Sequence, residues 1–236
     1  MDAISRLAAE PEQAALFLDV DGVLAPIVAR PEDASVPEST RRLLRGLAGR
    51  FALVACVTGR SSDTARRIVG VPELRYAGEH GLELDPEAAA FADSVHRFAA
   101  ATGWPDIEEK PFSAALHFRR AADPELARRS LETVAARAAE EGLRASFGRM
   151  VLDILPPVTA TKGTAVRRLL DESGLRRALY AGDDTTDLDG FAALDGLELA
   201  VRVAVASPEG PALLRERADV VVESPAAFAV LLRRLV

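Results

Sequence analysis

The sequence predicts an α/β fold in which a doubly wound parallel sheet is interrupted by an inserted α+β unit. Predominantly apolar segments of strand length recur at 14–20, 51–57, 178–181 and 199–205, alternating with helical patterns. Three of these runs lead directly into short polar stretches that contain glycine, the positions where ligands bind in open parallel sheets. Between about 82 and 156 the alternation gives way to strand-like pieces around helix, joined by short turns, as expected of an antiparallel sheet.

The elements follow in order. A short helix precedes the first strand, Ala14–Val20. A helix is predicted over Pro37–Gly49, with proline at its start and glycine at its end in the favoured order. Phe51–Val57 is uniformly apolar, as in a strand buried on both faces. Ser61 or Ser62 can cap a helix over Asp63–Val69, and Leu74–Ala77 reads as a third strand. The insert opens on an acidic, Ala-rich segment. Strands Ile107–Lys110 and Ala114–Phe118, a long helix Asp123–Glu141, and strands Leu143–Phe147 and Met150–Leu155 follow. Pro156-Pro157 marks the return to the parallel pattern. That pattern continues as helix Thr161–Glu172, strand Ala178–Ala181, helix Thr186–Leu194, strands Leu199–Val205 and Val220–Val222, and a C-terminal helix.

Bulk properties narrow the function. With 49% hydrophobic and 28% charged residues, the 236-residue chain is an ordinary globular protein of one large or two modest domains. A net charge of −7 argues against a nucleic-acid surface, which rewards clustered positive charge. No apolar stretch approaches a membrane span, and the first residues lack the apolar core of a signal peptide. The single cysteine, Cys56, lies in an apolar run and reads as a buried thiol in a reducing compartment. A cytoplasmic location is therefore expected.

Four motifs carry chemistry. In Leu18-Asp19-Val20-Asp21-Gly22, two carboxylates end a buried strand, where they repel unless a cation or shared proton relieves them. Mg²⁺ suits such hard oxygen ligands and leaves room for a phosphate. Thr58-Gly59-Arg60 follows the second strand, with a hydroxyl and open backbone N–H groups that suit a phosphate oxygen. Lys162 opens a helix, against the dipole, as a phosphate-neutralising lysine would. Gly182-Asp183-Asp184-Thr185-Thr186-Asp187-Leu188-Asp189 places four carboxylates after a strand, as a metal site and its supporting shell require. Each motif has a local alternative: an Asp-Gly turn, a threonine cap, a solvated lysine, an acidic helix cap.

Taken together and in this order, the motifs resemble those of the haloacid dehalogenase (HAD) superfamily of aspartate-nucleophile phosphatases. The resemblance implies a Rossmann-like core over 1–80 and 157–236, with a cap over 81–156 that selects substrate. It implies that Asp19 attacks phosphorus and that Asp21 protonates the leaving oxygen and later activates water. Thr58 and Lys162 would hold the phosphoryl group. Mg²⁺ would be bound by Asp19, the Asp21 carbonyl and Asp183, supported by Asp184 and Asp187.

Flanking residues are similar to those of trehalose-6-phosphate phosphatases: Val23-Leu24-Ala25-Pro26-Ile27, Gly78-Glu79-His80-Gly81, Glu108-Glu109-Lys110, His117-Phe118-Arg119 and Gly148-Arg149-Met150-Val151-Leu152-Asp153-Ile154-Leu155-Pro156. This implies a small-molecule sugar phosphate, trehalose 6-phosphate, as the substrate hydrolysed to trehalose and phosphate, contacted by Gly59, Arg60, His80, Glu109, Lys110, His117, Arg119 and Asp153. It also implies a trehalose-phosphate synthase as the pathway partner. Leu188, Asp153 and Leu155 stand where the family usually carries Glu, Glu and Arg. The alternatives are a phosphatase of another sugar phosphate, of sucrose- or glucosylglycerol-phosphate type, and a noncatalytic partner of a synthase. All five core residues (Asp19, Asp21, Thr58, Lys162 and Asp183) are present, which argues against the last.

Overall fold

The computed structural model describes residues 2–28, 30–148, 150–206 and 210–236. Arg149, part of one motif above, lies outside the described residues. The chain divides into two compact units, Met1–Gly81 with Ala160–Val236, and Leu82–Thr159.

The first unit begins with α1 (Ala3–Ala9), capped by Asp2, and β1 (Ala14–Leu18), whose five residues are all buried. Then come α2 (Glu38–Ala48), β2 (Leu53–Val57), α3 (Ser62–Val69), which Ser61 caps, and β3 (Arg75–Ala77). The inserted unit comprises α4 (Ala92–Ala101), β4 (Ile107–Glu109), β5 (Ala114–His117), α5 (Pro124–Glu140), β6 (Arg144–Gly148) and β7 (Val151–Leu155). The first unit resumes with α6 (Lys162–Ser173), β8 (Arg177–Gly182), α7 (Asp187–Ala193), β9 (Leu199–Val205), α8 (Ala212–Arg217), β10 (Val220–Val222) and α9 (Pro225–Leu232).

The core sheet is entirely parallel, in the order β10-β9-β8-β1-β2-β3. From β1 the chain winds outward through β2 and β3, and after the insert it winds the other way through β8, β9 and β10. The strand order therefore reverses between β1 and β8, which pair from Ala14↔Arg177 to Leu18↔Ala181. A crevice at the carboxyl ends of two such strands is where this architecture binds ligands. Burial on both faces explains why the central strands read as unbroken apolar runs. Where the chain leaves this unit, Gly81 adopts φ +94° so close to the returning chain that a Cβ would lie 2.7 Å from the Thr161 carbonyl oxygen.

In the inserted unit the sheet order is β4-β5-β7-β6, antiparallel throughout. Its apolar face, with Ala114, Leu116, Leu152 and Ile154, packs with Val95 and Phe98 of α4 and Leu131 of α5. Two helices, α4 and α8, lie outside the elements predicted from sequence. The α4 segment reads as Ala-rich without a cap, its N-cap residue Phe91 offering no side-chain hydrogen bond. The six-residue α8 is too short for a periodic signal.

Candidate active site

The site is assembled at the reversal point of the core sheet. Asp19 follows β1 directly, and its N–H still donates to the Ala181 carbonyl at 3.0 Å, so sheet pairing fixes the base of its side chain. Its side chain is almost fully buried, and Oδ1 accepts the Val20 N–H at 2.7 Å. The Lys162 ammonium, in the first turn of α6, is 2.9 Å from Asp19 Oδ2 and 2.7 Å from Asp187 Oδ1. Thr161 positions that turn through a reciprocal cap with Thr164. The sequence cost of a lysine at a helix start is thus offset by two buried carboxylates.

Asp187 is saturated. Its Oδ1 accepts from Lys162 and, at 2.8 Å, from the Tyr180 hydroxyl; its Oδ2 accepts the N–H groups of Asp183 and Asp184 at 2.9 and 3.0 Å. A carboxylate has about four lone-pair sites, so Asp187 acts as a brace with no capacity left over. Asp19, Asp183 and Asp187 each present an oxygen within 4.8 Å of the others, all three residues being buried. Asp19 and Asp183 are the other two carboxylates of this cluster, a set whose oxygens suit a hard cation. Gly22 makes the space: at φ +78° it lies so close to Asp183 that a Cβ would fall 2.1 Å from Asp183 Oδ2.

Electrostatics agree with a cation site. Burial, reinforced by the charges of Asp187 and Asp21 and opposed by Lys162, pushes the Asp19 carboxyl up to about 7. For Lys162, burial disfavours the charged form, but the Asp187 and Asp19 charges outweigh it and raise the ammonium well above its ordinary value. Three buried carboxylates against one ammonium leave excess negative charge, and a divalent cation relieves it.

The other predicted core residues divide. The Asp21 carboxylate faces Arg60 in a two-point pair, Nε to Oδ2 at 2.6 Å and Nη2 to Oδ1 at 2.8 Å, while Arg60 Nη1 donates to the Pro31 carbonyl at 3.0 Å. Asp184 accepts the Thr185 N–H at 2.7 Å and stands outside the buried cluster. Thr58 is buried, and its Oγ1 accepts the Arg60 N–H at 3.3 Å. The turn after β3 closes against this loop: Glu79 N–H donates to Arg60 O at 2.8 Å and His80 N–H to Thr58 O at 2.9 Å. Glu79 and His80 take left-handed backbone (φ 50° and 55°), a strain that functional loops commonly store. The His80 ring fills the space a Cβ on Gly59 would need.

In the inserted unit, strand alternation sorts the predicted sugar contacts. Glu108 pairs with Ala115, Ala115 with Asp153, and Asp153 with Ser146, so these residues share the face opposite the helices. On that face Lys110 Nζ meets Asp153 Oδ1 at 3.0 Å in a buried ion pair, and His117 Nε2 meets Glu108 Oε2 at 2.9 Å. Glu109 belongs to the other alternation and is exposed. Glu108 is therefore the acidic residue that joins His117, Lys110 and Asp153, a distinction that depends on strand register. Leu155 also lies on this face, directly opposite Arg144, whose guanidinium donates to the Val158 carbonyl. Arg144 thus supplies a cation beside the position where the family usually carries Arg. Arg119, just beyond β5, is half-buried.

The Trehalose-phosphatase family model matches residues 17–212. The chain is 31% identical to trehalose 6-phosphate phosphatase RA3 of Zea mays, over 84% of this chain and 64% of that protein. It is 34% identical to a trehalose-phosphate phosphatase of Mycobacterium ulcerans, over 80% of this chain and 54% of that protein. It thus spans less than two thirds of the length of either relative. Its fold is similar to that of the C. albicans trehalose-6-phosphate phosphatase C-terminal domain, with TM-score 0.80 and 21% identity, covering 100% of this chain and 96% of that one. The matched span contains both the buried aspartate–lysine cluster and the inserted polar sheet face, and on this ground the chain belongs to the trehalose-phosphatase family.

Proposed function

We propose that the protein is a Mg²⁺-dependent phosphatase that hydrolyses trehalose 6-phosphate to trehalose and phosphate through an aspartyl-phosphate on Asp19. The observation that carries this reading is the Lys162 ammonium held between Asp19 and Asp187 at the sheet's reversal point, beside Asp183. In the first displacement an Asp19 oxygen forms a bond to phosphorus while the bond from phosphorus to the sugar oxygen breaks. Asp21 gives that oxygen its proton. In the second, water attacks the same phosphorus, Asp21 takes its proton, and the Asp19–phosphorus bond breaks to release phosphate.

Lys162 and Thr58 bind the phosphoryl oxygens, and Lys162 also lowers the repulsion between Asp19 and its dianionic target. Asp19, Asp183 and the Asp21 carbonyl would hold Mg²⁺, which when bound supplies the remaining positive charge. The Arg60 pair occupies both oxygens of Asp21, so the acid–base step requires Asp21 to leave it.

The sugar is read by the polar sheet face of the inserted unit, with Glu108, Lys110, His117 and Asp153 offering paired donors and acceptors to hydroxyls. A trehalose-phosphate synthase, as the source of such a substrate, is the expected pathway partner. A cytoplasmic setting is the expected location for a chain whose single cysteine, Cys56, is buried and has no second cysteine to pair with; among the described residues no helix is long and apolar enough to cross a membrane. Phosphate release should be measured over a panel of trehalose, sucrose, glucosylglycerol and glucose phosphates, with acid-trapped enzyme mapped for the phosphorylated residue. Selective turnover of trehalose 6-phosphate with label on Asp19 is the expected result. Equal turnover across the panel, or label elsewhere, would overturn the reading.

A further inference from the structure

We propose that Tyr180 is a positioning residue for the phosphoryl-transfer step, acting through Asp187 on Lys162. The inference rests on the phosphatase reading above and extends it to a side chain that touches neither phosphorus nor a cation.

Tyr180 lies in β8 and is fully buried, and its hydroxyl is 2.8 Å from Asp187 Oδ1. In this arrangement the phenol is the donor to an ionised carboxylate. The same oxygen takes Lys162 Nζ at 2.7 Å, and Lys162 in turn reaches Asp19 at 2.9 Å. A continuous chain of short polar contacts thus runs from the Tyr180 hydroxyl to the nucleophile. The ring's own seat is specific. Asp187 and Gly190 are three residues apart and share one face of α7, and the ring lies over Gly190 so closely that a Cβ there would sit 2.2 Å from Tyr180 Cζ. Phe191 meets the ring edge-on at 5.9 Å between centroids. The missing side chain at 190 is what lets the phenol cross α7 and deliver its hydroxyl to Asp187.

The consequence follows from sharing. Lys162 has three N–H protons, of which two are directed at Asp19 and Asp187. While Tyr180 satisfies part of Oδ1, Asp187 holds the ammonium without drawing it wholly to itself. Without the hydroxyl, Oδ1 has only Lys162 as donor, and the ammonium is pulled toward Asp187 at the expense of Asp19 and the phosphoryl group. Charge on the transferring group matters most in the transition state, so the loss falls on kcat and leaves KM nearly unchanged.

Tyr180→Phe keeps the ring seat and removes only the hydroxyl. Holoenzyme with Mg²⁺ should lose about tenfold or more in kcat, equally on trehalose 6-phosphate and p-nitrophenyl phosphate, with KM held within about twofold. A second measurement needs no turnover. The chain has only two tyrosines, so ¹³Cζ-tyrosine labelling gives two resonances, and the one missing in Tyr180→Phe identifies position 180. Saturation with inorganic phosphate in the presence of Mg²⁺ should shift the Tyr180 resonance as Lys162 is drawn toward the anion, leaving Tyr76 in place. Unchanged kcat, whatever the melting temperature, or a Tyr180 resonance indifferent to bound phosphate, would overturn the assignment and mark Tyr180 as packing alone. A wild-type chain without phosphatase activity would instead overturn the phosphatase reading and this inference with it.

Discussion

Asp19 makes the metal-free protein sensitive to pH in a direction opposite to ordinary acid denaturation. Its carboxyl is pushed from an ordinary value of 3.8 up to about 7, chiefly by burial. Between those values the folded chain holds a proton that the unfolded chain has released, so this group's contribution to stability is complete below pH 4 and is lost as pH rises through 7. At about 1.4 kcal/mol per unit, the interval from pH 5 to 8 is worth about 3 kcal/mol, or roughly 6–12 °C in melting temperature for a chain of this size. Carboxylates held low, such as Asp2 with its Ser5 N–H and Arg234 partners, vary only at more acid pH, and comparison with Asp19→Asn separates the Asp19 slope from that of any imidazole.

A divalent cation would bind the ionised form of the cluster, so Mg²⁺ should raise the melting temperature much more at pH 8 than at pH 5. Scanning calorimetry in chelator and in Mg²⁺, from pH 5 to 8, reads both effects. Asp19→Asn cannot titrate; its metal-free melting temperature should be flatter with pH, higher than wild type at pH 8, and less responsive to Mg²⁺. A wild-type profile flat over this range, or a slope that survives in Asp19→Asn, would refute the reasoning.

Other expectations follow from the same geometry. Asp21→Asn should reduce turnover by at least about a hundredfold by removing the proton donor, with a melting temperature near wild type because Arg60 keeps one oxygen acceptor; stopped-flow phosphate release checks it. Asp153→Asn should lower activity on trehalose 6-phosphate about tenfold or more and spare p-nitrophenyl phosphate, since the Lys110 pair it disturbs lies in the inserted unit. Glu108→Gln should behave likewise while Glu109→Gln leaves both activities unchanged; equal effects at the two positions would count against the register argument. Gly22→Ala, whose Cβ would strike Asp183 Oδ2, should abolish measurable turnover and weaken Mg²⁺ binding in a calorimetric titration.

Much of this was legible in the sequence alone. Leu199–Val205 and Val220–Val222 are strands over the predicted residues, and the remaining core strands differ only at their ends; the central β1, buried along its whole length, leaves the clearest apolar run. The carboxylates at the ends of β1 and β8 were visible because polar residues interrupt those runs abruptly. Relations between distant residues were not. Asp21 and Arg60 are 39 positions apart, and nothing in either motif indicates that one grips the other. The choice between Glu108 and Glu109 depends on which face of β4 looks away from the helices, which only the pairing with Ala115 decides. Tyr180 read as one more apolar strand position; its hydroxyl gained meaning only once Asp187 was placed beside it.

The contact between Gly81 and Thr161 has a consequence for how such a protein changes over time. The chain departs from the core and returns to it at neighbouring points, so the 78 residues between, Leu82–Thr159, hang on a closed doorway. Lengthening, shortening or exchanging that stretch leaves the two flanking ends where they were and disturbs no strand pairing of the parallel sheet. The polar face of the inserted sheet can therefore change in sequence without moving the chain ends that flank the aspartate–lysine cluster. One phosphate chemistry could in this way be handed on to many different sugars.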